Sequence, residues 1–264
     1  MLSPLYGQLS PLRVPTTMRF ISNDADVVAY VLAVEAADGQ RLEDSVISAY
    51  DAFITGCKSD SIWSALKASC LLAGARTLNG ALVPLVGSAP TNNNFVTADY
   101  SRKIGLIGNA ISKGLVTNRN NNQDPQNSKH ISVYVTQTYG VNNTNYMGGT
   151  LTNGTSQLFI VSSTQVNYRL NSNSGPTLST NFVGLIGTNR SNSTQIVSRG
   201  NQISTTSSVT SQTPLNQVLR VFTNGNGANG SAGRIAFYSI GESLDLAALD
   251  TRVSTLMTDL AAAI

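Results

Sequence analysis

Apolar and polar positions divide this chain into stretches of different period. After Asn23 or Asp24, either of which can cap a helix, Val27, Tyr30, Val31 and Val34 recur at helical spacing, and Asp38-Gly39 ends the run. A second helix is predicted from about Arg41, with Leu42, Val46, Tyr50 and Phe53 on one stripe, Ile47 and Ile54 widening it, and Gly56 as its stop. A third is predicted to start at Ser59 or Asp60, to turn Ile62, Trp63, Leu66, Cys70 and Leu71 inward, and to end near Gly74. Helices this short do not stand alone and must pack together or on another layer.

From about Asn92 to Ile240 the pattern changes. Short apolar runs alternate with turns of Asn, Gly, Ser and Thr: His130–Thr136, Gln157–Ser162, Phe182–Ile186, Gln217–Phe222 and Arg234–Ile240. Each has strand length and β-branched or aromatic content, and none is separated from the next by helical periodicity, which predicts an antiparallel β-sandwich. The apolar connection Leu78–Pro90, broken by Gly80, Pro84, Gly87 and Pro90, reads as an irregular linker. Gly-Leu-Ile-Gly occurs at 105–108 and 184–187, which reads as two similar strand ends turning at glycine rather than, as the alternative, a distant internal duplication. After the last strand, Ser243 is the expected cap of a C-terminal helix with Leu246, Leu249, Val253, Leu256 and Leu260 on a narrow seam. That seam either packs on the rest of the chain or joins copies into a symmetric oligomer. Ahead of all this, Pro4, Pro11 and Pro15 among Leu2, Leu5, Tyr6, Leu9, Leu12 and Val14 predict an extended apolar segment. The expected organisation is thus an extended arm over 1–22, a helical docking region and linker over 23–90, and a sandwich with its C-terminal helix over 91–264.

Composition changes the picture in two ways. With 264 residues, 41% of them hydrophobic, there is enough chain for a proper core, but only 12% are charged, so Asn, Ser, Thr and Gln must keep the surface wet. The net charge of +3 is also unevenly spread. Met1 to Asp60 holds eight acids against four bases, Ser61 to Gly241 only Asp99 and Asp124 against twelve bases, and the tail four acids against Arg252. A basic sandwich between acidic ends is either scattered solubilising charge, or helices and sandwich attracting each other within or between copies, or a sandwich that meets a polyanion such as lipopolysaccharide. The basic residues are spread singly with no stripe interleaved with aromatics, which argues against nucleic acid. No signal segment or membrane-spanning run is legible, and Cys57 and Cys70 read as buried free thiols in helical sequence.

Candidate chemistry is sparse. His130 is the one histidine, at the edge of a predicted strand, without a Gly-x-Ser-x-Gly elbow or metal-ligand spacing around it. Glycoside hydrolysis needs two carboxyl groups working together, and the sandwich offers only Asp99 and, in an Asn/Gln-rich turn, Asp124. Asp124 with backbone carbonyls makes at most a weak calcium site. No catalytic, cofactor-binding or metal residue is therefore assigned and no cofactor is expected. Binding is left, through polar loops and Tyr139, Tyr146 and Tyr168, which can hydrogen-bond or stack on sugars.

At Asp99-Tyr-Ser-Arg-Lys-Ile-Gly-Leu-Ile-Gly108, Asn118-Arg-Asn-Asn-Asn122 and Gly233-Arg-Ile-Ala-Phe-Tyr-Ser-Ile-Gly241 the chain resembles concanavalin/laminin-G-like sandwich domains of tailed-bacteriophage virion proteins. Leu9-Ser-Pro-Leu-Arg13 and the stretch from Trp63 to Leu78 look similar to the leader of the same proteins. The resemblance implies a mainly β, concanavalin-like jelly-roll and a non-enzymatic virion structural protein. In that reading a tail or fibre appendage turns its sandwich to a host-surface glycan, and the arm and helices dock to other virion proteins, a tail adaptor or the major capsid protein. It also implies a homo-oligomer, a trimer. The alternative is a capsid decoration, or cement, protein, and a third class is a polysaccharide-degrading enzyme. The acids that bind sugar and calcium in the lectin branch have no matching positions here.

Overall fold

The computed structural model describes residues 22–179 and 183–264. In chain order the first elements are α1 (Ala25–Asp38), α2 (Asp44–Ser59), β1 (Leu66–Leu71), α3 (Leu78–Ala81), β2 (Pro84–Val86) and β3 (Thr91–Asn93). Then come β4 (Tyr100–Ser101), β5 (Gly105–Ile107), β6 (Gly114–Asn120), β7 (Lys129–Gln137), β8 (Thr144–Gly148), β9 (Thr155–Ser162) and β10 (Gln165–Ser172). The last are β11 (Thr177–Ser179), β12 (Gly184–Arg190), β13 (Gln195–Gly200), β14 (Ile203–Ser208), β15 (Val218–Val221), β16 (Arg234–Gly241) and α4 (Leu246–Ala263).

The strands form two antiparallel sheets that fit a concanavalin-like, jelly-roll sandwich. One is nine-stranded, ordered β14-β13-β12-β7-β16-β1-β2, with β5 on β16 and β4 on β5. The other is seven-stranded, ordered β11-β10-β9-β8-β15-β6-β3. Alternation along each strand sends Ile131, Val133 and Val135 of β7, Leu158 and Ile160 of β9, and Val166, Tyr168 and Leu170 of β10 into the space between the sheets. A second apolar cluster lies on the far side of the nine-stranded sheet, where Leu71, Leu185, Ala236 and Phe237 meet α1, α2 and α4. The order of layers is helices, nine-stranded sheet, seven-stranded sheet.

The helices form where the spacing places them. Asp24 caps α1 by accepting from the Asp26 and Val27 N–H groups, Gly39 closes it in the left-handed region, and Val27, Tyr30, Val31 and Val34 are buried. In α2 the stripe is buried as expected, but the helix runs past Gly56 to Ser59. A Cβ on Gly56 would fall 2.7 Å from the Arg252 guanidinium, so this glycine admits α4 to the surface of α2 instead of ending a helix. The seam of α4 is buried against α2 and β12, and its cap is Asp245, not Ser243.

The third helix is overturned. Leu66–Leu71 is β1, an inner strand paired with β16 on one side and β2 on the other. Both of its faces are covered: Ala68, Cys70 and Leu72 face the other sheet, while Leu66 and Leu71 face the helices. Leu66, Ala68 and Cys70 alternate with Lys67 and Ser69, yet Ile62, Trp63, Leu66, Cys70 and Leu71 also fit helical spacing, so over this short stretch periodicity does not separate strand from helix. The connection 78–90, expected to be irregular, holds α3 and β2, so two strands of the nine-stranded sheet come from ahead of residue 91. The expected arm over 1–22 lies outside the described residues except for Ser22, as does Phe182 of the predicted strand Phe182–Ile186.

Both Gly-Leu-Ile-Gly copies open strands of the nine-stranded sheet on a glycine of positive φ, and Leu106 and Leu185 enter the core. At Gly105 a Cβ would sit 2.2 Å from the Ile235 carbonyl oxygen, so β5 approaches β16 only with glycine there.

Candidate binding face

The helices cover one side of the nine-stranded sheet, and the outward side of the seven-stranded sheet is turned away from them. Its composition follows from strand register. Arg169 of β10 pairs with Gln157 of β9, Gln157 with Gly148 of β8, Gly148 with Arg220 of β15, and Arg220 with Val116 of β6. Directly opposed residues of an antiparallel pair share a face, so these form one row across five strands. A neighbouring row runs Asn167, Phe159, Asn145. The flanking apolar residues Leu158, Val166, Tyr168 and Val221 point the other way, into the core.

Arg169 and Phe159 are half-buried, and Gln157 and Asn145 are buried. Gln157 lies over Gly148 and donates through Nε2 to Asn145 Oδ1, while its Oε1 meets no donor among the described residues. Asn145 is fixed in turn by its Nδ2 donating to the Asn229 carbonyl at 3.3 Å. Arg169 donates through Nε to Asn167 Oδ1 at 2.8 Å, and Asn167 is tied to the carbonyls of Gly175 and Pro176. Arg220 donates through Nε to the Gly225 carbonyl at 3.1 Å. Neither arginine pairs with an acid among the described residues. Burial pulls Arg169 below the ordinary guanidinium range, with no opposing carboxylate to restore it.

Arg190 marks the contrast. It is fully buried and also lacks an acid, but its Nε and Nη2 donate to the Leu170 carbonyl at 3.1 and 2.9 Å and its Nη1 to the Val209 carbonyl at 2.9 Å. That guanidinium is a brace between strands, saturated by backbone oxygens. Among the described residues the Nη groups of Arg169 and Arg220 meet no acceptor, their bonds being made through Nε.

The two carboxylates of the sandwich are both neutralised. Asp99 accepts from Lys113 Nζ and from the Val96 N–H at 2.8 Å; burial works to raise its carboxyl, and these partners hold it below the usual range. Asp124 is buried, paired with Arg119 and with Lys129 Nζ at 3.1 Å, and is likewise held low against its burial. Burial drags the Lys129 ammonium down to about 8 in spite of Asp124. Lys129 Nζ also donates to the Asn121 carbonyl at 2.7 Å, so an ammonium stands among the oxygens that a calcium ion would need there. Among the described residues no group of three His, Cys, Asp or Glu gathers to hold a metal.

His130 is buried inside β7, with Nδ1 2.6 Å from the Glu242 carbonyl and Nε2 2.9 Å from Ser239 Oγ; burial pushes its pKa down to about 4. Cys57 and Cys70 are buried free thiols, each pushed up to about 12 by burial, although Cys70 lies in β1 and not in a helix. The sugar-facing role expected of the tyrosines fails for two of them. Tyr146 and Tyr168 belong to β8 and β10 and are wholly buried between the sheets, and only Tyr139 is a half-buried loop residue.

Arg169, Gln157, Phe159 and Arg220 are absent from the sequence-based expectation. Alternation within Gln165–Ser172 would have placed Asn167 and Arg169 opposite Val166, Tyr168 and Leu170. In β9 the signal is weaker, because Phe159 and Val161 on the outward face are as apolar as Leu158 and Ile160 on the inward one. Among the described residues no helix is long and apolar enough to cross a membrane.

No protein-family model matches this chain, and no curated protein does. Solved structures give a distant likeness. Domain 4 of AbnA, a GH43 extracellular arabinanase from Geobacillus stearothermophilus, in complex with arabinotriose, is 15% identical over 65% of this chain and 82% of that one, with a TM-score of 0.41. At that score the likeness carries no argument, and the sandwich stands on its own strand pairing.

Proposed function

We propose that this chain is a non-enzymatic structural protein of a bacteriophage virion, a tail or fibre appendage whose lectin-like sandwich faces the host surface. One observation carries the non-catalytic part. Asp99 and Asp124, the only acids between Ser61 and Gly241, are each engaged by lysine or arginine, which leaves no carboxylate pair free for acid and base roles. The virion part rests on the resemblance at 99–108, 118–122 and 233–241. The division of faces supports the orientation: the helical layer lies behind the nine-stranded sheet and docks to the tail adaptor or a neighbouring virion protein, while the seven-stranded sheet looks outward. The assembled form is a homo-oligomer, a trimer.

Imaging intact particles with a label fused after Ile264 tests the placement. The label is expected at the tail. A label spread over the head lattice would replace the appendage with a cement protein, and particles that carry no label would remove the protein from the virion.

A further inference from the structure

We infer that the outward face of the seven-stranded sheet binds an acidic polysaccharide, holding its carboxylate or phosphate groups on Arg169 and Arg220 and a sugar ring against Phe159. The inference rests on the non-enzymatic, host-facing reading above and specifies its ligand. A charged side chain that is partly withdrawn from water and left unpaired is costly, and structures retain one where something else supplies the counter-charge. Arg169 fits that description. It is half-buried and desolvated, and among the described residues its side chain is held through Nε alone. Across the strands from it lies Gln157, buried and joined to Asn145, which forms the floor of the face beside the Arg169 guanidinium.

The field around them has one sign. The strands of the seven-stranded sheet contain no acid at all, and the two acids nearest in sequence are consumed by Lys113, Arg119 and Lys129. Arg169 and Arg220 lie three strand spacings apart in the same row, about 14 Å at the backbone, which suits an extended chain with repeated charges better than a single sugar. Phe159 sits two residues along β9 from Gln157, about 7 Å away, with Asn167 and Asn145 on either side. An apolar ring beside amides and a guanidinium matches what an acidic sugar presents: a C–H face, hydroxyls and an anion.

Calorimetric titration of the full chain tests this, with oligogalacturonate as the carboxylate probe, delipidated lipopolysaccharide core as the phosphate probe and dextran as the neutral control. An acidic probe is expected to bind with an affinity that falls as salt is raised, and dextran is expected not to bind. Arg169→Gln and Arg220→Gln should each weaken binding about tenfold, while Lys103→Gln, which removes an exposed charge elsewhere, should leave it unchanged. Thermal melts separate this role from a structural one. Removing an uncompensated, desolvated charge should leave the melting temperature of Arg169→Gln unchanged or raised. Binding of the carboxylate probe alone would identify a uronate-bearing polymer as the source, and binding of the phosphate probe alone a lipopolysaccharide core. Equal binding of dextran, no binding of either acidic probe, or a folded double arginine variant that binds like the parent would each overturn the inference. None of these outcomes depends on where the chain sits on a particle.

Discussion

At the scale of single residues, His130 shows how completely the core suppresses chemistry. A carbonyl can only accept, so Nδ1 carries the proton and donates to Glu242 O; Nε2 must then accept from the Ser239 hydroxyl, and Ser132 donates in turn to Ser239 Oγ. A second ring proton would point at the hydroxyl that now donates to it. Burial, the largest influence, lowers the pKa from 6.5 to about 4. Because the unfolded chain takes up a proton below 6.5 and the folded one does not until about 4, stability is full above 6.5 and falls as pH drops across that interval, by about 3 kcal/mol in total. The depressed carboxyls of Glu43, Asp99 and Asp124 make their losses below their ordinary values of 4.5 and 3.8, so the upper part of the interval belongs to the histidine. Urea unfolding between pH 6.5 and 4.5 should show this slope in the parent and a flat line in His130→Gln, whatever that variant's absolute stability. A parent without the slope would contradict the assigned tautomer network.

At the scale of elements, α4 is the clamp that joins the helical layer to the nine-stranded sheet. Leu249 is fully buried in the cluster that includes Phe53 of α2 and Leu185 of β12. Leu249→Ala should lower unfolding free energy by about 2–5 kcal/mol in urea titrations, the range for a leucine removed from a packed core. A loss below about 1 kcal/mol would mean that α4 is a loose appendage. This helix and α1 were legible in the sequence because each has one wet face and one dry face, so their apolar residues keep helical spacing. Strands β9 and β15 have one outward face, whereas β7 and β16 are covered on both faces and were legible from strand length, β-branched and aromatic content and the polar turns around them. Strand β1 was not: Leu66, Ala68 and Cys70 alternate with Lys67 and Ser69, but Ile62, Trp63, Leu66, Cys70 and Leu71 also recur at helical spacing, and over so short a stretch the helical pattern hid the alternation. Strands such as β6, β10 and β14 were obscured by Asn, Ser and Thr, which in this charge-poor chain serve as strand residues as well as turn residues. The candidate face stayed hidden because it depends on the register between β10, β9, β8 and β15, and pairing partners that far apart leave no local signal.

At the scale of the whole molecule, the uneven charge of the sequence resolves into contacts within one chain. Glu43 of the helical region meets Arg102 at 2.7 Å and Arg76 at 3.0 Å, Asp250 of α4 meets Arg199 at 2.8 Å, and Glu242 meets Lys67 at 3.0 Å. Such pairs are individually modest; they tie Glu43, Glu242 and Asp250 to bases between Ser61 and Gly241, while Asp24 and Asp26 meet Lys58, Asp44 meets Arg41 and Asp60 meets Arg252 within the ends themselves. Among the described residues Arg169 and Arg220 are two of the bases left without an acid, and they share one row on the side away from the helices. On the function proposed above, the chain is a shell held from behind that grips an anionic surface in front and breaks no bond. The most direct measurement is a time course of new reducing ends in oligogalacturonate and lipopolysaccharide core incubated with enough of the full chain to saturate binding. The account predicts retained, bound polysaccharide with reducing ends at the level of a protein-free control; reducing ends that accumulate in proportion to protein and vanish in Asp99→Asn would contradict it.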